Sequence, residues 1–311
     1  MNFEFSEEQH LLRDQARAFL AEFCPTDTVR AVLDSDNEWD HALWQRVAEM
    51  GWTATVIPEA YGGLGLSHYE LAILAEEMGR SVAPLPFSSS VYLASEAILT
   101  FGSEGQKSEW LPKLASGECV GTVAMWERPG ALALEQLATR RLGDTVSGVK
   151  SPVPDAGVAD VVVVLVHSDA GLEACLVPMD QAGVQQQSVM TLDGSRGHST
   201  LTLDNAQAEI LGHNTIEPSA WQRLLDGAAV MFAWEQLGVA ESALTQARDY
   251  ALQRFAFGRA IGSYQAIKHK LAAMYVKNTL ARSNAYYGVW ALAENSADLP
   301  LAAATARVAG I

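Results

Sequence analysis

The chain has 311 residues, 49% hydrophobic and 19% charged, enough apolar surface for a large core divided over two or three compact units. Its formal net charge of −16, from 21 Lys and Arg against 37 Asp and Glu, with no basic run, argues against nucleic acid as a partner. Cys24, Cys119 and Cys175 lie far apart without metal-ligand spacing, so they read as buried small hydrophobes and suggest neither a disulfide framework nor a zinc site.

The opening MNFEFSEEQHLL turns charged and helical at once, without the basic and then apolar segments of a signal peptide. The longest strongly apolar stretch, Val161 to Val166, is strand-length. These features predict a cytoplasmic protein with no membrane partner. Ser6-Glu7-Glu8-Gln9 has the form of a capping box and precedes Leu12, Ala16, Phe19, Leu20 and Phe23 at helical spacing. The same cap spacing recurs at Ser67 and Glu70, and again at Ser103 and Gln106. The first 117 residues therefore read as a helical domain, interrupted by a tight loop from Ile57 to Ser67.

The period then changes. Val161–Val166 and Leu172–Val177 are β-rich runs joined by His167-Ser168-Asp169-Ala170-Gly171 in the manner of a hairpin, and Ser199 to Leu203 alternates polar and apolar residues. Residues 118–215 are predicted to form an antiparallel β domain, sandwich or barrel. Helical periodicity returns in 216–311. The stripe Ala233, Leu237, Ala240, Leu244, Ala247 and Ala251 predicts one long helix, Ser263 past Leu280 a second, and Leu299–Ile311 a third that stops without a cap, as if this domain were incomplete at its end. The predicted class is α+β, mostly α, in the order helical domain, antiparallel β domain, helical bundle.

The segment RFAFGRAIGSYQAIKHKLAAM, Arg254 to Met274, carries the most chemistry. A helix ends near Arg254, a turn follows from Gly258 to Gly262, and Ser263 is placed to cap a new helix. Such a turn can present a guanidinium and free N–H groups to an anion such as a pyrophosphate. It reads equally as an inter-helix turn with a surface Arg and a packed Phe.

Arg254, Phe257, Gly258, Ile261 and Gln265 stand at the spacing Arg-x-x-Phe-Gly-x-x-Ile-x-x-x-Gln, which resembles the motif of the acyl-CoA dehydrogenase family. The resemblance extends over nearly the whole chain, through Phe5-Ser6-Glu7-Glu8-Gln9, Pro58 to Gly63, Gly148-x-Lys150, Ala156-x-x-Ala159-Asp160 and Asp193-x-x-Arg196. It implies FAD as cofactor, with Arg254, Phe257 and Gln265 reaching a flavin held mainly by a neighbouring subunit, hence a homo- or hetero-oligomer. It further implies an acyl-CoA substrate, dehydrogenated between Cα and Cβ to the trans-2-enoyl thioester, and an electron-transfer flavoprotein as acceptor.

Departures from the family pattern are confined to the chemistry. The position of the family's helix glutamate falls on Ala228 and that of an adjacent CoA-binding Arg on Ala229, while the CoA-contacting Asp matches Asp226. The family's other glutamate position would lie past Ile311. Asp226 and Glu235 are the substitute bases to consider, Glu235 reading more readily as a solvated or paired helix carboxylate. Where the family reads Thr-Glu-Pro-x-x-Gly-Ser-Asp, this chain reads Met125-Trp126-Glu127-Arg128-Pro129-Gly130, and Pro152 takes the place of an aromatic that shields the flavin. Met125, Trp126 and Pro152 are the candidate flavin contacts here, with Trp126 also readable as a packed core residue. The histidines, His167, His198 and His269 among them, form no pair at i, i+4, so no metal site is expected. Two functions remain open: a working acyl-CoA dehydrogenase, and a non-catalytic partner that shares a flavin with an unlike, base-bearing subunit. A flavin-free helical scaffold is the third reading.

Overall fold

A computed structural model of the chain describes residues 5–35, 39–130, 132–212 and 215–310. The helices are α1 (Glu7–Phe23), α2 (Thr26–Leu33), α3 (His41–Glu49), α4 (His68–Ser81), α5 (Glu96–Phe101), α6 (Glu104–Ala115), α7 (Pro218–Gln253), α8 (Gln265–Ala293) and α9 (Leu299–Ala309). Ile311, expected in the last helix, lies outside the described residues. All three capping boxes form: Ser6, Ser67 and Ser103 each cap a helix whose Gln9, Glu70 or Gln106 returns the bond.

The strands are β1 (Gly121–Ala124), β2 (Arg140–Leu142), β3 (Thr145–Pro154), β4 (Val161–Ser168), β5 (Gly171–Pro178), β6 (Val184–Ser188), β7 (His198–Gln207) and β8 (Glu209–Ile210) in one sheet, with β9 (Phe255–Ala256) and β10 (Arg259–Ala260) apart. The large sheet runs β6-β7-β3-β2-β4-β5-β8, with β1 added beside β4. The expected hairpin joins β4 to β5 with Val161 opposite Pro178 and Ser168 opposite Gly171. The sheet is not wholly antiparallel as expected, because β1 and β2 both pair in parallel with β4. Val161 to Val166 are completely buried, which fits a central strand covered on both faces.

The chain divides into two compact units, one of Met1–Thr26, Ser67–Ala83 and Asp226–Ile311, the other of Asp27–Leu66 and Pro84–Leu225. Within the second, a π-helical stretch, Ser88–Ser95, packs on β1 so closely that a Cβ on Gly121 would come within 2.6 Å of Ala94 Cβ. Ser89 donates to Asp155 Oδ2 at 2.6 Å, and Gly121 N–H to Ser90 Oγ at 3.3 Å.

Within the first unit, α4 and α7 cross at two glycines. A Cβ on Gly79 would overlap the Glu235 carbonyl, and one on Gly238 would overlap that of Glu76, so neither site admits a side chain without moving backbone. The crossing is flanked by a buried ion network. Glu76 and Glu77 of α4 are almost wholly enclosed, Arg282 of α8 holds Glu76 at 2.7 Å and Glu241 of α7 at 2.6 Å, and Arg80 and Arg17 hold Glu77 at 3.2 and 2.6 Å. Burial pulls the Arg282 guanidinium down, but its bonds to Glu76 and Glu241 outweigh this and raise it. The network fixes α7 and α8 side by side and so sets the base from which their connecting segment extends.

Candidate active site

Helix α7 ends at Gln253, and Arg254 begins a two-strand ribbon in which Phe255 pairs with Ala260 and Ala256 with Arg259. The two residues between, Phe257 and Gly258, have φ of 53° and 79°, the left-handed pair that a two-residue hairpin needs to match strand twist. Glycine takes that conformation freely, whereas a phenylalanine there costs about 1–3 kcal/mol. Its ring gains no packing in return, being 98% exposed, so the reading of Phe257 as a packed residue is corrected.

The Arg254 carbonyl accepts from Ile261 N–H at 2.8 Å, which closes the ribbon. A 3₁₀ turn, Ile261–Ser263, then leads into α8. Ser263 does not cap α8 as expected: its hydroxyl donates to the Ala260 carbonyl at 2.7 Å, and Tyr264 stands at the cap position without a side-chain bond. Gln265 is the first residue of α8. Arg254 and Phe257 thus stand on the ribbon and Gln265 at the start of α8, all three exposed.

In the other unit, the residues after β1 form a second constellation. Ser151 N–H donates to the Trp126 carbonyl at 2.7 Å, which brings Pro152 beside it on β3. Glu127 accepts from Ala138 N–H at 2.7 Å, from Thr139 N–H at 2.8 Å and from the Thr139 hydroxyl at 2.6 Å. Lys150, 0% exposed, donates to Glu127 Oε1 at 3.0 Å and to the Met125 carbonyl at 3.4 Å. Burial alone would raise Glu127, but these donors hold its carboxyl down to about 2. Burial lowers Lys150 to about 8 although Glu127 opposes it.

Glu127 therefore clasps the two ends of the segment 127–139. Beneath that segment lies a cavity of ≈ 530 Å³ lined by Trp126, Glu127, Arg128, Leu132, Gln136 and Val149, among others. Trp126 is half-buried on this cavity and is not a core residue, while Met125 is wholly enclosed and offers only its carbonyl. Sequence reasoning missed the Glu127–Lys150 pair. Its signal was present as a lysine inside a β-rich run at Gly148-x-Lys150, a position that requires a buried counter-charge.

On α7, Asp226 is 9% exposed and Ala228 4%. Glu235 is 5% exposed, so of its two readings, solvated or paired, the solvated one is corrected. Gly79 rests on its backbone carbonyl, and its charge acts on Arg307 of α9, whose guanidinium is lowered chiefly by burial. Those surroundings are those of a helix-packing residue. Among the described residues no group of His, Cys, Asp and Glu could hold a metal, and no helix is long and apolar enough to cross a membrane.

The model of the acyl-CoA dehydrogenase N-terminal domain matches residues 6–118, and that of the C-terminal domain matches residues 219–310. Acyl-CoA dehydrogenase IpdE2 of Mycobacterium tuberculosis is 32% identical over 304 residues, covering 97% of this chain and 80% of its own. The chain belongs to the acyl-CoA dehydrogenase family. Among solved structures, the Tcur3481-Tcur3483 steroid ACAD superposes with a TM-score of 0.87 at 32% identity, over 97% of this chain and 82% of that one. The ChsE4-ChsE5 complex of Mycobacterium tuberculosis gives 0.90 at 25% identity, over 99% and 84%. Family members are FAD-dependent oxidoreductases acting on acyl-CoA.

The chain's residues fit that cofactor on one side only. The exposed ribbon offers a cation, an aromatic face and an amide to a bound dinucleotide. The segment after β1 lacks the Gly-Ser-Asp end of the pattern that the family resemblance led one to expect there.

Proposed function

We propose that this chain is the flavin-sharing subunit of an acyl-CoA dehydrogenase assembly, lending Arg254, Phe257 and Gln265 to an FAD held by another subunit while the proton-abstracting base comes from elsewhere than α7. One observation carries this reading: the ribbon holds a strained, fully exposed Phe257 beside an exposed Arg254, whereas the helix position of the family's base is a buried alanine, Ala228.

When bound, the flavin accepts the hydrogen equivalent removed from the acyl β-carbon. The part of this chain is to hold and orient. Arg254 supplies a charge-assisted donor to an anionic oxygen, Phe257 an apolar face, and Gln265 an amide at the start of α8. Asp226, buried near the start of α7, is proposed to orient the CoA portion of the substrate. The steroid ACAD and the two-component ChsE4-ChsE5 complex among the similar structures support an assembly of unlike chains acting on a bulky acyl thioester. An electron-transfer flavoprotein is the proposed acceptor.

The test is FAD retention by the assembled oligomer. Arg254→Ala is expected to weaken it by about 1.5–3 kcal/mol, the worth of a hydrogen bond to a charged group. Unchanged retention would remove the ribbon from the flavin. Asp226→Ala is expected to raise acyl-CoA dissociation constants without changing flavin content; equal affinity in the two proteins would sink that role.

A further inference from the structure

Trp126 stands half-buried on the cavity of ≈ 530 Å³ that Gln136, Leu137 and Val149 also line. Its indole makes no hydrogen bond and meets no other ring among the described residues. A side chain so placed takes its direction largely from its backbone, and that backbone is pinned at three successive residues. Lys150 Nζ donates to the Met125 carbonyl at 3.4 Å and to Glu127 Oε1 at 3.0 Å, so one ammonium reaches both neighbours of Trp126. Between them, Ser151 N–H donates to the Trp126 carbonyl at 2.7 Å. Two of the three pins are protons on a single nitrogen.

That nitrogen sits where a charge is hard to keep. Lys150 is 0% exposed on β3, between the core positions Val146 and Val153, with Leu201 of β7 opposite it in register. Burial disfavours the ammonium and Glu127 supports it, leaving the group at about 8, so that its charge is present at neutral pH and lost just above. The neighbouring strands bring no second charge against it. On β7, Asp204 is exposed and His198 lies at the far end, opposite Pro154, and Arg140 of β2 is exposed. Glu173 of β5 is held by Arg141 of β2 at 2.6 Å, burial pushes the Cys175 thiol up to about 12, and His167 of β4 bonds through Nε2 to the Leu134 carbonyl at 2.7 Å.

Glu127 has three further donors, the Ala138 and Thr139 N–H groups and the Thr139 hydroxyl. It therefore stays tied to residues 138 and 139 when the lysine is neutral, and the bond that weakens is the one from β3 to residues 125–127. We infer that the Lys150 ammonium is a catch on Trp126: while charged it fixes the indole against the cavity, and loss of the charge lets the Met125–Glu127 backbone relax and the indole move, with the sheet still folded. The cavity changes shape with pH close to neutrality, through this chain's own residues and without a flavin.

The test is the tryptophan emission of the full chain and its quenching by acrylamide across about pH 6 to 10, with the signal of the Trp126→Phe variant subtracted. The difference is expected to be level at the lower end and to change with a midpoint of about 8, acrylamide reaching the indole more readily above it, while circular dichroism stays constant. Lys150→Met combined with Glu127→Gln removes the ammonium together with the charge its loss would strand. That protein is expected to show the high-pH signal throughout. A second reading on the wild type, proof against a variant that fails to fold, is the NMR shift of the Lys150 ε-carbon, expected to titrate with the same midpoint. A flat emission difference, a transition that persists in the double variant, or an ε-carbon that does not titrate in this range would overturn the inference. So would a transition lost in His167→Asn, since His167 would then carry it, or one that coincides with loss of circular dichroism, since the whole unit would be unfolding.

Discussion

The β9–β10 ribbon and the segment that follows β1 are the two places where this chain meets the chemistry of its family, and they are built in opposite ways. The ribbon keeps the family's residues at the family's spacing, holds them in water, and places a phenylalanine in a left-handed conformation that its own fold does not reward. The segment after β1 has exchanged the family's residues, yet is tied into the interior by the enclosed Lys150 and by Glu127 with its four donors. On the proposed reading, residues that match the family motif but are unsupported by the chain's own fold serve a group outside the chain.

The largest effect that would break this contrast lies in the β unit. Glu127→Ala strips the counter-charge from a lysine with no exposure and leaves the Ala138 and Thr139 N–H groups without their acceptor, so a loss of about 3–5 kcal/mol is expected. Denaturant unfolding measures it, and a loss under about 1 kcal/mol would show that the clasp is ornamental. At the ribbon the sign reverses. Phe257→Gly is expected to leave the fold unharmed or stabilise it by about 1 kcal/mol, since glycine adopts a positive φ without strain, while flavin retention by the assembly falls. A destabilised Phe257→Gly protein would mean that the ring packs within the chain after all.

A smaller effect separates the two regions by pH. The Glu127 carboxyl lies near 2 in the folded chain against an ordinary 4.5, so its contribution is complete above about pH 4.5 and is lost as pH falls toward 2. Lys150 is lowered, to about 8 from 10.5, so the folded state sheds its proton first and this group favours folding increasingly as pH rises between those values. Acid unfolding of Glu127→Gln is expected to lack the 4.5-to-2 portion of the decline, whereas Arg254→Ala keeps it. Superimposable acid profiles for wild type and Glu127→Gln would show that the carboxylate is not held down by its donors.

Much of the fold was legible because it is written in local signals. Three Ser-x-x-Glu/Gln boxes, the valine run of β4 and the small-residue stripe of α7 each depend on residues within a few positions of one another. The same locality made the ribbon legible, since Arg254, Phe257 and Gln265 lie on one hairpin and its exit. The Glu127–Lys150 pair was not, because it joins residues 23 positions apart in sequence, one in the segment after β1 and one on β3, and a lysine inside a β-rich run calls for a counter-charge without naming it. Of the two readings of Glu235, solvated or paired, the solvated one fails because its burial comes from a distant element, Gly79 of α4 sitting on its carbonyl. Ser263 failed as a cap because the 3₁₀ turn delays the helix by one residue and turns its hydroxyl back to Ala260.

The central claim is that this chain shares a flavin without supplying the base from α7. It is tested most directly by the absorption spectrum of the purified full-length protein, reconstituted with FAD and recorded before and after anaerobic addition of a panel of acyl-CoA thioesters. The account predicts flavin bands that do not bleach with the chain alone, or no retained flavin until a second subunit is added. Prompt bleaching of flavin on the isolated chain would contradict it and place a working base within these 311 residues.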